Sequence, residues 1–205
     1  MENQFTKLLE ERRSIYSLGK NVSLSEDKIV GLVAKAIKES PSSFNSQTSR
    51  AVVLFGSAHN KLWDITEEAL IKAIPEGQDV APTKAKLNSF RAAFGTILFF
   101  EDTSIVRALQ EQFALYADNF PIWSEQSTGI AQHSVWTALA VENIGGSLQH
   151  YNPLIDDAVQ KEWNLSADWK LTGQMPIGSI EAPAGEKEYM DDSERVLVLD
   201  RKSVV

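Results

Sequence analysis

The chain carries a basic triplet, Arg12-Arg13-Ser14, directly after its first predicted helix. Two guanidinium groups and a hydroxyl at the end of a helix can donate several converging hydrogen bonds to a phosphate, because the guanidinium fork matches the geometry of an oxyanion. The triplet also follows Glu10-Glu11, and charged surface pairs of this kind are common. On these residues alone, an anion site and a solvated surface patch both remain open.

Two other stretches concentrate polar side chains. The segment 41–49, PSSFNSQTS, is filled with hydroxyls and amides, and Gln149-His150-Tyr151-Asn152 follows the pair Gly145-Gly146. Either stretch could be an ordinary polar loop, or part of a site that loops build on a rigid scaffold. Their value as site residues depends on the elements that position them.

Several other chemistries have no support in the sequence. The chain has no cysteine, which excludes disulfides, thiolate nucleophiles and cysteine metal sites. The histidines, His59, His133 and His150, lack the i, i+4 spacing of a helical zinc site, so each is more simply structural and we predict no metal site. Glycine-rich nucleotide loops and the Gly-x-Ser-x-Gly elbow of hydrolases are also missing from the sequence.

Composition limits the classes of protein and partner. A net charge of −8 opposes non-specific binding to nucleic acid, although a local basic pocket could still hold a small anion. We find no secretory leader and no run near the ~20 apolar residues of a membrane span, so we expect a soluble protein without a membrane span. The lack of cysteine fits the cytoplasm. We predict a single domain over residues 1–205.

The elements that must position these residues begin with two apolar runs. Arg50–Gly56 and Gly95–Phe100 do not alternate polar with apolar residues, which predicts strands covered on both faces by helices. Ser23 and Glu26 have capping-box spacing before a helix that ends near Ser40-Pro41. Helices are thus expected on both sides of a central sheet.

The longest apolar helix is predicted over Thr128–Ile144, and we expect it to be buried because apolar residues cover most of its sides. Gly145-Gly146 is expected to end it in a left-handed turn. The segment before it, Asp118–Ser127, is expected to be irregular. Its apolar and aromatic residues could plug the core or could line a site for a flat aromatic ligand.

The last third of the chain carries weaker signals. Asn152-Pro153 is expected to cap and begin a helix that runs to Trp163. Pro176 within Leu171–Ile180 indicates an edge strand or a bulge, because proline donates no ladder hydrogen bond. A polar loop that contains Lys187 then leads to a final strand over Arg195–Leu199.

Taken together, these segments resemble the nitroreductase family of FMN-dependent oxidoreductases, especially its fatty-acid-repression-type branch. The similarity rests on motifs that occur in the family's order along nearly the whole chain: ERRSIY, SPSSFNSQ, GTILFFED, GGSLQHYNP and GEKEYMDDSERVLVL. The resemblance implies an α+β fold with a mainly antiparallel central sheet covered by helices on both faces. It also implies a homodimer with an FMN site in each of two interface clefts, and a last strand close to the partner's sheet.

The resemblance further assigns the cofactor-binding residues. It implies that Arg12, Arg13 and Ser14 meet the flavin phosphate and ring edge, and that Lys187 completes the phosphate cradle. Tyr16 stands where many relatives carry a basic residue, which leaves more of the phosphate charge to the arginines and Lys187. Further flavin contacts are implied for Ser42, Ser43, Asn45, Gln47, Gln149, His150, Tyr151 and Asn152.

The implied activity is transfer of electrons from NADH or NADPH through FMN to a nitroaromatic, a quinone or a similar aromatic acceptor, in a ping-pong cycle. The flavin carries this chemistry, so no catalytic acid or base is required of the chain, and His150 could at most supply a proton. The alternative is a flavin-bearing sensor or regulatory protein with incidental turnover, which responds to lipid or redox state and acts through a protein or lipid partner. A colourless protein would point to a structural role instead.

Overall fold

The centre of the structure is an antiparallel β-sheet. The computed structural model describes residues 3–199, and its sheet has the strand order β1-β5-β3-β2, with β4 also paired to β5. The strand bounds are β1 Leu18–Gly19, β2 Ser49–Phe55, β3 Gly95–Asp102, β4 Ile144–Gly146 and β5 Trp169–Ile180. Neighbouring strands pair antiparallel throughout these ladders.

Helices cover both faces of this sheet, as predicted. Their bounds are α1 Gln4–Glu11, α2 Glu26–Lys38, α3 Gly56–Ala73, α4 Ala81–Arg91, α5 Thr103–Gln112, α6 Phe120–Val141, α7 Asp156–Glu162 and α8 Asp192–Arg195. Every residue of β3 is buried, which explains its continuous apolar sequence. Leu98 and Phe100 of β3 pack with α3, α4 and α7, whereas Ile97 and Phe99 pack with α2 and α6. The predicted α+β class is confirmed.

The start of α2 differs from the prediction. Ser25, two residues after the predicted cap, is the N-cap, and its side chain accepts a hydrogen bond from the Lys28 backbone N–H. The acidic residues Glu26 and Asp27 then occupy the first turn, where the helix dipole favours negative charge. The capping-box interpretation of Ser23 and Glu26 was therefore wrong.

Helix α6 is longer than predicted and begins inside the segment expected to be irregular. Phe120–Val141 forms one helix, with Pro121 in its first turn, where a missing N–H is tolerated. The rings of Phe120 and Trp123 lie 5.3 Å apart in a T-shaped arrangement. The aromatic cluster thus belongs to the first turns of the same helix that runs into the core.

The end of α6 was also predicted incorrectly. The left-handed residue is Asn143, with φ of 56°, and Gly145 and Gly146 lie in β4. Gly145 is required for close packing, because a Cβ there would lie 2.9 Å from the Ile180 side chain and 3.0 Å from Leu18. The glycine pair therefore permits strand packing and does not form a turn.

Pro176 lies inside a central strand, so the prediction of an edge or bulge at this residue was wrong. It pairs with Thr96 of β3, and its carbonyl accepts a hydrogen bond from the Ser147 backbone N–H. The proline nitrogen faces the same side as that carbonyl, where β4 has ended at Gly146. Its missing donor therefore costs little.

Two predictions near the C-terminus were wrong. Helix α7 begins at Asp156 after an Ile155 cap, while the Asn152 side chain accepts a hydrogen bond from Gln174. The expected last strand is replaced by the short helix α8, followed by residues 196–199 without regular structure. Within residues 3–199, none of the helices is long and apolar enough to cross a membrane.

Candidate functional site

Five of the predicted site residues line one cavity, which we call the basic cleft. Its volume is about 470 Å³, within the range of small-molecule pockets. The chain after α1 supplies one wall and the loop 182–187 supplies the other. The predicted residues in its lining are Arg12, Arg13, Ser14, Tyr16 and Lys187. The structure thus brings the two ends of the chain together around three cations.

Arg12 has an unusual environment within this cleft. Its guanidinium carbon lies 4.3 Å from the centre of the Trp136 ring on α6. Its Nε is buried and has no hydrogen-bond partner among residues 3–199. Burial, and secondarily the charge of Arg13, lower the pKa of the Arg12 guanidinium. An anion in the cleft would offset both the desolvation and the repulsion between the two arginines.

The other walls of the basic cleft are fixed by backbone contacts. Arg13 donates a 2.8 Å hydrogen bond to the Gly185 carbonyl, which attaches the loop 182–187 to the start of the chain. Ser14 forms a parallel bridge with Gly146, and the Ile15 N–H donates to the Gly146 carbonyl at 2.9 Å. Lys187 extends its Nζ to 4.8 Å from the Tyr189 ring. Glu186 is a carboxylate in the same lining.

The Ser-rich loop lies at a second cavity of about 190 Å³. Ser42 and Gln47 line this cavity together with Arg50 and Ser127, and the Gln47 N–H donates to Ser42 Oγ at 2.9 Å. Phe44 has φ of 57° and lies 5.0 Å from Phe113, ring centre to ring centre. Aromatic packing thus holds this loop in a left-handed conformation that non-glycine residues seldom adopt.

The segment after β4 is organised by Gln174, a residue that the sequence analysis missed. The backbones of Gln149 and Gln174 exchange hydrogen bonds of 2.7 and 2.9 Å. The Gln174 side chain accepts from the Tyr151 N–H at 2.7 Å and donates to Asn152 Oδ1 at 3.3 Å. Gln174 is completely buried, so these contacts fix the polar segment against β5.

Side chains in this segment point to different surroundings. The Tyr151 ring packs edge-on to Trp63 in the core, with 6.0 Å between ring centres, and burial raises the pKa of its phenol. His150 is exposed.

His59, which lies on α3, is buried and its Nδ1 lies 2.8 Å from Thr96 Oγ1, as expected for a structural histidine.

A third cavity of about 220 Å³ lies between α6 and the start of β5, and we call it the α6–β5 cavity. Asn152 is the predicted site residue that lines it. The remaining lining residues are Glu125, Thr128, Gly129, Gln132, Lys170, Leu171 and Thr172. Thr128 and Gln132 are polar residues four positions apart on an otherwise apolar helix, and this spacing was the available sequence signal.

Eight of the thirteen predicted residues line one of these three cavities. Five of them line the basic cleft, Ser42 and Gln47 line the second cavity, and Asn152 lines the α6–β5 cavity. Among the described residues, Ser43, Asn45, Gln149, His150 and Tyr151 line none of these three cavities. Their contact with a cofactor stays a prediction.

The sequence matches the model of the Nitroreductase family over residues 9–179. The chain is 36% identical over 188 residues to HBN1 of Saccharomyces cerevisiae, a protein named as a nitroreductase, with 91% of this chain and 93% of HBN1 covered.

Solved structures give the same result. The nitroreductase CinD from Lactococcus lactis, in complex with chloramphenicol, has 56% sequence identity and a TM-score of 0.88, covering 95% of this chain and 99% of CinD. A protein of Desulfovibrio desulfuricans that is named as a nitroreductase was solved in complex with FMN and shares the fold, with 18% sequence identity and a TM-score of 0.71. The match covers 98% of this chain and 100% of that protein.

Proposed function

This chain belongs to the nitroreductase family of oxidoreductases, and we propose that it binds FMN with the phosphate in the basic cleft. The observation that carries the proposal is the environment of Arg12. A buried, unpartnered Nε, a lowered guanidinium pKa and a second arginine beside it create a demand for an anion. A dianionic phosphate meets that demand.

The donors of the basic cleft suit a phosphate in number and type. Arg12, Arg13 and Lys187 supply positive charge, Ser14 supplies a hydroxyl, and Glu186 is the carboxylate that opposes them. Arginine forks can bind phosphate oxygens in pairs, while lysine acts as a point charge. Because the whole chain has a net charge of −8, this local excess of cations is the more informative.

The flavin ring is proposed to lie towards the segment Gln149–Asn152. The Ser14–Gly146 bridge places the cleft beside β4, and the chain runs from β4 directly into this segment. Its backbone, held by Gln174, can offer fixed donors and acceptors to the edge of a flat ring. The Desulfovibrio relative solved with FMN supports the choice of flavin.

When bound, FMN would supply the redox chemistry, taking a hydride from NADH or NADPH and returning electrons to a nitroaromatic, a quinone or a similar acceptor in a ping-pong cycle. The residues of this chain would bind the cofactor, orient it and exclude water. His150, exposed beside the same segment, could deliver a proton to the acceptor. CinD structures with chloramphenicol and with 4-nitrophenol support nitroaromatic acceptors.

The active form is proposed to be a homodimer of single-domain chains. Val196, Leu197, Val198 and Leu199 are 62 to 84% exposed, and Ile130 on α6 is 43% exposed. The exposed apolar residues 196–199 and the exposed Ile130 on α6 are side chains that a second copy would cover. Sedimentation of the full chain should give twice the monomer mass, and a monomer at micromolar concentration would contradict this assembly.

The direct test combines cofactor and reaction. The purified protein should be yellow, should release FMN on denaturation, and should lose its flavin absorbance when NADH or NADPH is added without oxygen. Addition of 4-nitrophenol or a quinone should then restore the oxidised spectrum. A colourless protein, or a flavin that both nucleotides leave oxidised, would overturn the proposed function.

A further inference from the structure

The α6–β5 cavity is too small to hold a whole cofactor. Its volume of about 220 Å³ lies below the 300 to 1,000 Å³ that complete small-molecule ligands usually fill. It shares Asn152 with the segment proposed to face the flavin, and its lining is otherwise polar on the α6 side. The cavity is therefore suited to one functional group of a larger ligand.

The orientation of the Gln132 amide in this cavity follows from its partners. Thr172 Oγ1 donates its single proton to the Phe99 carbonyl at 3.0 Å, so it can only accept from Gln132. Gln132 must then present its Nε2 to Thr172, at 3.3 Å. Its Oε1 is left as an acceptor, and Gln132 is 8% exposed.

The same reasoning orients Asn152. The Oε1 of Gln174 accepts from the Tyr151 N–H, so the other end of that amide, Nε2, donates to Asn152 Oδ1. The Nδ2 of Asn152 is left as a donor. Two amides on different elements thus carry complementary groups, an acceptor on Gln132 and a donor on Asn152.

Thr128 adds a buried hydroxyl to this lining. It is 2% exposed, and its Oγ1 has no hydrogen-bond partner in the described part of the chain. A buried hydroxyl without a partner is destabilising, and a ligand that forms a hydrogen bond with it would remove this cost. Thr128 lies one turn from Gln132 on the same side of α6.

The charges around the cavity favour a neutral ligand group. Lys170 forms a 2.8 Å ion pair with Glu125, and both residues belong to the lining. The hydrogen bond with Glu125 first, and then the charges of Glu125, Glu101 and Asp156, raise the pKa of Lys170 despite its desolvation. With three carboxyls around one ammonium, a carboxylate ligand would gain no net attraction.

The position of the cavity fits a ligand that contacts the flavin ring. Trp136, beneath Arg12, and Thr128 are separated by two turns of α6, or about 12 Å along the helix axis. The Arg12 side of the basic cleft and the α6–β5 cavity thus lie about two turns of α6 apart. The segment with Gln149 lies next to the α6–β5 cavity, because a Cβ on Gly173 would be 3.1 Å from Gln132 Nε2 and 3.6 Å from the Gln149 carbonyl oxygen.

We propose that the α6–β5 cavity binds a planar primary carboxamide, and that its source is the nicotinamide of NADH or NADPH. Gln132 Oε1 accepts from the carboxamide NH₂, while Asn152 Nδ2 and the Thr128 hydroxyl donate to its carbonyl. These are positioning residues that fix the dihydropyridine ring relative to the flavin. The assignment of the source rests on the proposed function.

Equilibrium binding tests the cavity without any redox step. Oxidised, flavin-loaded protein is titrated with nicotinamide and with 3-acetylpyridine, which keeps the carbonyl and replaces NH₂ by CH₃. We expect nicotinamide to bind about tenfold more tightly, the effect of one hydrogen bond. The ¹⁵N–¹H signals of the Gln132 side chain should shift on binding. Equal affinities, with these signals unmoved, would overturn the proposal.

Variants assign the preference to named atoms. Gln132→Met keeps the side-chain length and removes the acceptor, so the tenfold preference should disappear. Gln126→Met, on an exposed position of the same helix outside the cavity, should retain it. Thr128→Val should weaken both probes alike and leave their ratio unchanged. The proposal is overturned if Gln132→Met keeps the full tenfold preference for nicotinamide. If Gln132→Met does not fold, the proposal is overturned if Thr128→Val binds nicotinamide and 3-acetylpyridine with the affinities of the parent.

Two kinetic arms distinguish the source of the carboxamide. Anaerobic flavin reduction by NADH is compared with reduction by reduced 3-acetylpyridine adenine dinucleotide, and reoxidation by 4-nitrobenzamide is compared with 4-nitroacetophenone. Relative to the parent, Gln132→Met should lower the ratio of the two rates in the first pair and leave the ratio in the second pair unchanged. Loss confined to the second pair would move the cavity to the acceptor and overturn the donor assignment. If neither NADH nor NADPH reduces the flavin, the proposed function is contradicted. The equilibrium titration with nicotinamide and 3-acetylpyridine still tests the carboxamide site in that case.

Discussion

The basic cleft and the α6–β5 cavity lie along the same helix but are built to recognise ligands by opposite means. The cleft gathers Arg12, Arg13 and Lys187 and leaves a buried guanidinium nitrogen unpartnered within residues 3–199. The cavity balances Lys170 against carboxyl groups and orients two amides through fixed partners. The first therefore selects by charge, and the second by the direction of hydrogen bonds.

This difference predicts how each region responds to mutation and to salt. Charge recognition is long-ranged, is screened by salt and is shared among several groups. Amide recognition depends on neighbours that hold a side chain in one orientation, so removal of a distant partner can abolish it. The predictions below compare the two regions in this way, beginning with the largest expected effect.

Replacement of Arg12 and Lys187 together by alanine should weaken FMN binding by at least about 100-fold, because each charged hydrogen-bond donor contributes roughly 1.5–3 kcal/mol. Because salt screens the charges that the double variant lacks, its difference in affinity from the parent should be largest at low ionic strength and should shrink as the salt concentration rises. Fluorescence titration of FMN into the deflavinated protein measures the affinity. Lys72→Ala, which removes an exposed lysine paired with Glu68, is the control and should leave the affinity unchanged. If the double variant binds FMN as tightly as the parent, Arg12 and Lys187 do not bind the phosphate.

Gln174→Leu should lower the free energy of unfolding by about 1–3 kcal/mol, because it leaves the half-buried Tyr151 N–H without its acceptor. It should also release Asn152 and so weaken nicotinamide binding in the α6–β5 cavity, while Arg12 keeps its surroundings. Urea denaturation measures the stability. Gln126→Leu, on an exposed site, serves as the control. Equal stabilities for the two variants would mean that the amide network does not hold the segment.

From the sequence, the layers of the fold could be predicted better than the residues at which individual helices and strands begin and end. The apolar run of β3 required cover on both faces, and the structure provides it. The predicted turn at Gly145-Gly146 failed because Asn143 adopts the left-handed conformation instead. Pro176 was misplaced because the rule against proline in a central strand assumes a partner at every position, whereas β4 ends opposite it. Rules based on neighbouring residues do not include such contacts with strands that are distant in the sequence.

The candidate site could be predicted only in part for a similar reason. Arg13 and the Gly185 carbonyl are 172 positions apart in the sequence, so their contact could be inferred from family resemblance and not from spacing. Gln174 gave no signal, because a glutamine inside a strand pattern does not reveal what its side chain orients. Thr128 and Gln132 did give one, as polar residues four apart on an apolar helix, and it was overlooked.

Trp136→Leu should reduce FMN affinity by about three- to tenfold, which is less than loss of the cations themselves. The ring lies against the Arg12 guanidinium at 4.3 Å, and a cation–π contact contributes roughly 0.5–2 kcal/mol. Leucine retains apolar cover without the ring quadrupole. The same titration applies, with Trp163→Leu as an aromatic control outside the cleft. An unchanged affinity would mean that Ser14 and the backbone, rather than Trp136, position Arg12.

The smallest effect is expected from Glu101, a buried carboxyl whose charge acts on Lys170 of the α6–β5 cavity. Burial raises the pKa of this carboxyl, partly opposed by a hydrogen bond with Ser124 and by the charge of Lys170. The native state then binds more protons than the unfolded state at pH values above the ordinary glutamate pKa. Stability attributable to Glu101 is therefore present at low pH and is lost as the pH rises through the folded pKa.

Glu101→Gln should accordingly be more stable than the parent at neutral pH, and this advantage should disappear as the pH falls towards the ordinary glutamate pKa. Urea denaturation from pH 4.5 to pH 8 measures the difference. The affinity for FMN should not change, since charge in the basic cleft is unaffected. A variant that is less stable than the parent at neutral pH would show instead that the Lys170 ion pairing outweighs desolvation. The charges of the cavity would then act like those of the cleft, and the contrast between the two regions would fail.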